Sequence, residues 1–212
     1  MGSMAELEVY LEVGNKKVFA AVVDWPGWCR PGRDEEAAVQ ALLDYRDRYA
    51  AAVNGTARDV PAPSDTAPMR VVERLDGNAT TDFGAPGIVP ALDRVAISER
   101  DLERDLQLLD ACWKTFERIV RSAKGRTLAK GPRGGGRNLA TIRDHVDGAH
   151  AAYTRQVGGS GDFGEAIWAR WRGEVPERGP RGGERWPPRY AIRRAAWHIL
   201  DHAWEIEDRL GA

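Results

Sequence analysis

The first stretch of the chain alternates apolar and polar positions. Apolar residues stand at Leu7, Val9, Leu11 and Val13, with polar residues or Tyr10 between them, and this period of two predicts a strand with one buried face and one wet face. Gly14 and Asn15 predict a turn. Residues 17–24 predict a second strand, and Pro26 and Gly27 end it. The start of the chain therefore predicts a β-hairpin.

A helix and a further strand are predicted next. Asp34 can cap a helix with acidic residues in its first turn, which we expect to end near Ala52. Residues 54–68 contain three prolines and predict a loop, and residues 69–74 predict a returning strand. With room for a short strand before the helix, this part predicts an α+β domain of the order β-β-β-α-β.

The pattern changes to a helical period after a glycine-rich stretch at residues 76–90, where we place the domain boundary. Four helices are predicted. The first begins with a capping signature at Ser98 and Asp101, and its apolar residues follow one another at alternating intervals of four and three residues. The other three helices are predicted over residues 138–157, 162–173 and 187–209. The fourth helix is apolar on two faces, and the first domain or a second subunit of a homodimer could cover its tryptophan face. We expect an all-α four-helix bundle over residues 90–212.

Composition narrows the function classes. The chain has 212 residues and a formal net charge of −1, which argues against a nucleic-acid partner. No apolar run reaches the roughly 20 residues that span a bilayer, and the start lacks a signal peptide, so we expect a cytoplasmic protein with no membrane partner. Cys29 and Cys112 are far apart in the sequence and predict reduced thiols without an assigned role.

The four histidines of the chain all fall on two predicted helices. His198 and His202 are four residues apart, so both imidazoles project from one helix face and could bind one divalent metal. His145 and His150 diverge by about 140° around their helix, so one at most joins such a site, and the apolar periodicity favours His150. The alternative is that all four are core-edge histidines satisfied by hydrogen bonds.

Glu205 follows the histidine pair on the same face. It could ligate a metal, orient an imidazole or act as a catalytic base, or it could be a solvated carboxylate at the edge of that face.

Two glycine-rich loops, GPRGGGR at 131–137 and GPRGGER at 179–185, each precede a histidine-bearing helix. The backbone NH groups of these loops and the guanidinium groups of their arginines could bind a carboxylate or phosphate of a cofactor. The candidate residues are Arg133, Arg137, Arg181 and Arg185. A clamp of both loops requires that they lie at the same end of the bundle. The alternative is two solvated loops.

Residues 90–212 resemble the DinB-like superfamily, which includes YfiT-type hydrolases and thiol transferases. The resemblance is carried by Asp144-His145-Val146-Asp147-Gly148 and by His198-Ile199-Leu200-Asp201-His202. It implies a four-helix bundle that holds zinc, nickel or another divalent metal by His145, His198 and His202, and it favours His145 over His150. If the family's pair aligns one turn later, on His202 and Ile206, this chain has lost a ligand.

Residues 4–80 resemble the HicB-like antitoxin fold. The resemblance rests on the turn Asp24-Trp25-Pro26-Gly27 with Cys29, followed by Gly32 and the acidic helix start Glu35-Glu36-Ala37. The DNA-binding part that such antitoxins append is missing, and a four-helix bundle is predicted in its place.

These observations predict a metal-dependent enzyme of transferase or hydrolase type that activates a thiol or a water for a small-molecule substrate. The resemblance adds a low-molecular-weight thiol such as mycothiol as a cofactor. In this interpretation three tryptophans line an apolar pocket: Trp113, Trp168 and Trp171. The alternative is a binding or regulatory module with a structural metal or none, in which Trp25 and Trp28 form an exposed recognition patch.

Overall fold

The computed structural model describes residues 7–56, 60, 69–130 and 136–211. The chain divides into two compact units, Met1–Ala96 and Ile97–Ala212, whereas the sequence places the boundary between residues 76 and 90. The first unit holds a mixed sheet and the second is helical, so the predicted α+β class is confirmed.

The first unit is built on a sheet with the strand order β3-β2-β1-β4. Its strands are β1 (Leu7–Val13), β2 (Val18–Val22), β3 (Cys29–Gly32) and β4 (Met69–Asp76). The first three pair antiparallel, and β4 runs parallel to β1. A parallel neighbour needs a long crossover connection, and the helices α1 (Glu35–Asp44) and α2 (Arg46–Ala52) lie within that connection. The single helix predicted after Asp34 is thus two helices that meet at Tyr45.

The expectation of a wet face on β1 is wrong at its centre. Tyr10 is 5% exposed and Glu12 is fully buried. The Glu12 carboxylate accepts hydrogen bonds from the Thr81 hydroxyl and from the backbone NH groups of Gly87 (2.9 Å) and Ile88 (3.0 Å). Thr81 belongs to the short helix α3 (Ala79–Phe83). Because a buried carboxylate must be hydrogen-bonded, Glu12 fastens the chain after β4 to the sheet.

The tryptophans of the turn before β3 are core residues, so the alternative in which Trp25 and Trp28 form an exposed recognition patch is wrong. Trp28 is fully buried and stacks on Tyr49 with ring centroids 5.4 Å apart. Its indole NH donates to the Leu42 carbonyl at 2.9 Å, and the Tyr49 hydroxyl donates to the Pro26 carbonyl at 2.9 Å. These bonds join the turn to α1 and α2.

In its described residues the second unit has four helices: α4 (Glu99–Ala123), α5 (Leu139–Val157), α6 (Phe163–Trp171) and α7 (Pro188–Leu210). The Ser98 side chain caps α4, as expected from the sequence, and the side chains of Asn138 and Asp162 cap α5 and α6. Helix α7 contacts α4, α5 and α6, and both of its apolar faces are buried. None of the helices in the described part of the chain is long and apolar enough to cross a membrane.

Helices α5 and α7 are antiparallel. His145, near the start of α5, faces His202 in the second half of α7, whereas Tyr153, near the end of α5, faces Arg194 in the first half. The backbone NH of Trp186, just before α7, donates to the Gln156 carbonyl near the end of α5. The direction of these two helices determines where each of the predicted site residues lies.

Candidate metal centre

Three histidines converge between α5 and α7. Each of His145, His198 and His202 offers a ring nitrogen, and the three nitrogens lie within 4.8 Å of one another. His198 and His202 stand one turn apart on α7 with ring centroids 4.7 Å apart. The His145 ring lies 5.0 Å from each of them. The i,i+4 pair and one histidine of α5 thus form a single cluster.

The cluster is buried on the α7 side and accessible on the α5 side. His198 is 7% exposed and the His202 side chain 12%, whereas His145 is partly exposed. Burial, and next the neighbouring His202 and Arg194, lower the pKa of His198 to about 2. Burial, and next His202 and Arg137, also lower the pKa of His145. Both imidazoles are therefore neutral near pH 7, which is the form that binds a metal.

The spacing of the ring nitrogens fits a transition-metal site. The Nε2 atoms of His145 and His198 are 3.2 Å apart. In a tetrahedral zinc site with bonds of about 2.0–2.1 Å, two ligand nitrogens are about 3.3–3.4 Å apart. Three imidazoles suit zinc, nickel, copper or iron better than calcium or magnesium. The cluster could therefore hold one such ion with little rearrangement.

His150 lies outside this cluster. Its ring packs against Phe163 at 4.6 Å and Trp113 at 5.0 Å, and its buried Nδ1 has no hydrogen-bond partner among the residues described. The preference for His150 from periodicity is therefore wrong. Apolar periodicity identifies the buried side of α5, but it does not show which neighbouring helix covers each edge of that side. Helix α7 covers the edge on which His145 lies.

Replacing His150 by phenylalanine should reduce the loss of stability in acid. Burial lowers the pKa of His150 in the folded chain, while the unfolded imidazole titrates near about 6.5. As the pH falls below that value, the unfolded state binds the proton first, so the free energy of unfolding falls. In urea unfolding with a chelator, followed by helical circular dichroism, the wild type should lose more stability between pH 7.5 and 5.5 than the variant. An equal loss in both proteins would contradict this.

Glu205 contacts His202, one of the three histidines of the cluster. One carboxylate oxygen lies 2.8 Å from Nδ1 of His202, and the other accepts from Arg209 at 2.8 Å. The hydrogen bond from His202 is the main cause of the lowered pKa of Glu205. With Nδ1 held by Glu205, His202 presents Nε2 to the cluster. Of the three roles considered for Glu205, orienting an imidazole is the one that its contacts describe; its role as a catalytic base stays a prediction.

Removing the Glu205 carboxylate should weaken metal binding without abolishing it. Partners that orient a ligand typically contribute 10–100-fold to metal affinity, and we expect a loss of about that size for Glu205→Ala in a competition titration with zinc and a chromophoric chelator. Asp147→Ala is the control, because Asp147 pairs with Arg143 on the exposed surface of α5. Equal affinities for the two variants would contradict an orienting role.

Of the arginines predicted to bind a cofactor, Arg137 lies at one end of the α5–α7 pair and Arg181 and Arg185 lie at the other. The backbone carbonyl of Arg137 accepts from Arg209 near the end of α7. Arg181 is exposed on a tight turn, in which the Gly179 NH donates to the Gly183 carbonyl, and Arg185 donates to the Pro176 carbonyl. Arg133 lies outside the described residues. Arg137 therefore does not join Arg181 and Arg185 in one anion clamp.

The predicted tryptophan pocket does not border the histidine cluster. The Trp171 indole NH donates to the Ile97 carbonyl at 2.9 Å, and its ring packs on Trp168. Trp113 packs on Phe116 and His150. Within the described ranges, the aromatic rings beside His198 are instead Tyr153 at 5.8 Å and Trp197 at 6.0 Å.

Cys29 and Cys112 are both buried, and they form no disulfide.

Sequence reasoning missed three residues around the cluster: Tyr153, Arg194 and Arg209. Arg209 is buried, and besides Glu205 it binds the carbonyls of Ala129 (2.7 Å) and Arg137 (2.8 Å), which fixes both ends of the connection before α5. The sequence contains a signal for it, because Glu205 and Arg209 have the i,i+4 spacing of a helical ion pair. Arg194 likewise stands four residues before His198, on the same face of α7.

Comparisons of the chain with protein-family models, with curated proteins and with solved structures each found no match.

Proposed function

We propose that this protein is a divalent-metal-dependent enzyme of thiol-transferase or hydrolase type. The observation that carries the proposal is the convergence of three imidazoles with one accessible side. Structural zinc sites have four protein ligands, whereas catalytic sites use three and leave one position for water or substrate. In the described part of the chain the cluster contains His145, His198 and His202 and no fourth ligand, which matches the catalytic pattern.

The metal would supply one property, a lowered pKa for a thiol or water at its remaining position. The residues of the chain do the rest. Glu205 keeps a proton on Nδ1 of His202, and Arg209 keeps Glu205 ionised and in place. Tyr153 and Trp197 border His198 and restrict how a substrate approaches it.

The resemblances stated above support the same proposal. We infer that the helical unit is a four-helix bundle of the DinB-like superfamily, with a low-molecular-weight thiol such as mycothiol as its cosubstrate, and that the first unit is HicB-like. The His198 and His202 alignment supports this better than the alternative on His202 and Ile206, because Ile206 is a fully buried core residue.

The test is metal-dependent turnover. Protein stripped with a chelator and reloaded with zinc, nickel or cobalt is assayed for thiol transfer to an activated aryl halide and for hydrolysis of an activated ester. We expect one of these activities to appear only after reloading, in wild type and in the control His150→Phe. Full metal loading without either activity, together with a collapse of the melting temperature on chelation, would instead support a structural metal in a binding module.

A further inference from the structure

Arg194 lies beside the histidine cluster on two aromatic rings. It stands one helical turn, about 6 Å, before His198 on α7. Its guanidinium carbon is 4.6 Å from the centre of the Trp197 ring and 5.4 Å from that of the Tyr153 ring. Both rings are also neighbours of His198. The cation is thus held against the same wall that borders the candidate metal centre.

The guanidinium lacks an anionic partner. Its Nη1 atom is buried without a hydrogen bond, and no carboxylate lies within ion-pair distance of Arg194 in the ranges that the structure describes. Arg209, by contrast, binds one carboxylate and two carbonyls on the same helix. Aromatic faces attract a cation but offer no acceptor for its NH fork. A buried NH without an acceptor is costly, and such groups in native proteins call for an explanation.

The charges around the cluster favour an anion. Arg137 and Arg194 both act on His198 as positive charges. Glu205 is the carboxylate beside the histidines, and it already pairs with His202 and Arg209. A divalent ion at the cluster would add two positive charges. Among the described residues, the charged groups that act on His198 are thus cations and imidazoles, without a carboxylate.

We propose that Arg194 binds a carboxylate of the substrate, whose reacting thiol lies at the histidine cluster. This inference rests on the proposed function and specifies its substrate class: a small thiol that also has a carboxylate. That class excludes mycothiol, because the cysteine carboxyl of mycothiol is part of an amide. The planar fork of arginine matches a carboxylate with two parallel hydrogen bonds, and the rings of Tyr153 and Trp197 fix the plane of that fork. Arg194 is thus a specificity-determining residue.

The experiment compares two thiols that differ only in charge. Cobalt-loaded wild type and Arg194→Met are titrated with 3-mercaptopropionate and with 3-mercaptopropionamide, and binding is followed by the cobalt absorption spectrum. We expect wild type to prefer the carboxylate by roughly 10- to 100-fold, the size of a hydrogen-bonded charge pair. Arg194→Met should lose that preference and keep its cobalt. Arg194→Lys, which keeps the charge without the fork, should retain part of it and replaces the methionine variant if that one does not fold.

The outcomes separate the two proposals. An equal preference in wild type and Arg194→Met, with cobalt bound to both, would overturn the role of Arg194 and leave the metal centre intact. Loss of cobalt from a folded Arg194→Met would show that Arg194 supports the histidines, which also overturns the inference. If wild type binds no cobalt, the proposed function fails and the inference falls with it.

Discussion

Replacing His198 by alanine should lower the affinity for a divalent metal roughly 100- to 1,000-fold. A structural zinc site with four ligands has an apparent binding free energy of about 10–16 kcal/mol, so one ligand contributes about 3–4 kcal/mol. His198 is the variant of choice because it is buried and adjoins both other histidines: its Nε2 lies 3.2 Å from that of His145 and its ring 4.7 Å from that of His202. The measurement is a competition titration of chelator-treated protein with zinc, with circular dichroism as the check on folding.

The matched control is His150→Ala. It removes the same side chain from the same unit, and His150 packs against Trp113 and Phe163 rather than in the cluster. The control should bind zinc as wild type does, although it opens a small cavity. Equal losses in the two variants would show that metal uptake does not depend on this cluster.

Replacing Gly32 by alanine should destabilise the first unit by about 3 kcal/mol, the upper range for inserting atoms into a packed core. A Cβ at this position would lie 2.2 Å from the backbone nitrogen of Ala38 and 2.5 Å from the carbonyl carbon of Ala37. Strand β3 ends at Gly32 and α1 begins at Glu35, so the first turn of the helix lies directly on this glycine. The atoms involved belong to the backbone and cannot rotate away. Urea unfolding followed by tryptophan fluorescence measures the change.

Gly148→Ala is the same chemical change, but we expect it to raise the free energy of unfolding rather than lower it. Gly148 is exposed within α5, and nothing lies within 4 Å of the position of its Cβ. Alanine is favoured over glycine by about 0.5–1 kcal/mol in a helix interior, so this variant should be slightly more stable than wild type. A Gly32→Ala protein as stable as wild type would contradict the packing described for β3 and α1.

Local signals in the sequence predicted much of this molecule. The capping signature at Ser98 depends on neighbouring residues alone, and the structure confirms it together with the helix starts predicted near residues 138 and 162. The spacing of His198 and His202 is also local, so it correctly predicted two imidazoles on one face. Because a strand's period and a helix's period are set by the backbone, the α+β class followed from the same reasoning.

What failed depends on residues distant in sequence. Glu12 occupies a polar position in an alternating strand, yet the backbone near Gly87 covers it and provides hydrogen-bond donors. Nothing next to Trp28 in the sequence identifies its stacking partner Tyr49, which lies on a later helix. The choice between His145 and His150 depends on which flank of α5 meets α7. Periodicity shows that a face is buried, but not which element buries it.

The most direct test of the central claim is the metal content of the purified protein. Elemental analysis of wild type and of His198→Ala, each reloaded with zinc and passed through a desalting column, counts the ions per chain. The account predicts one zinc per chain in wild type and far less than one in the variant. No zinc in wild type, or equal zinc in both proteins, would contradict a metal centre at His145, His198 and His202.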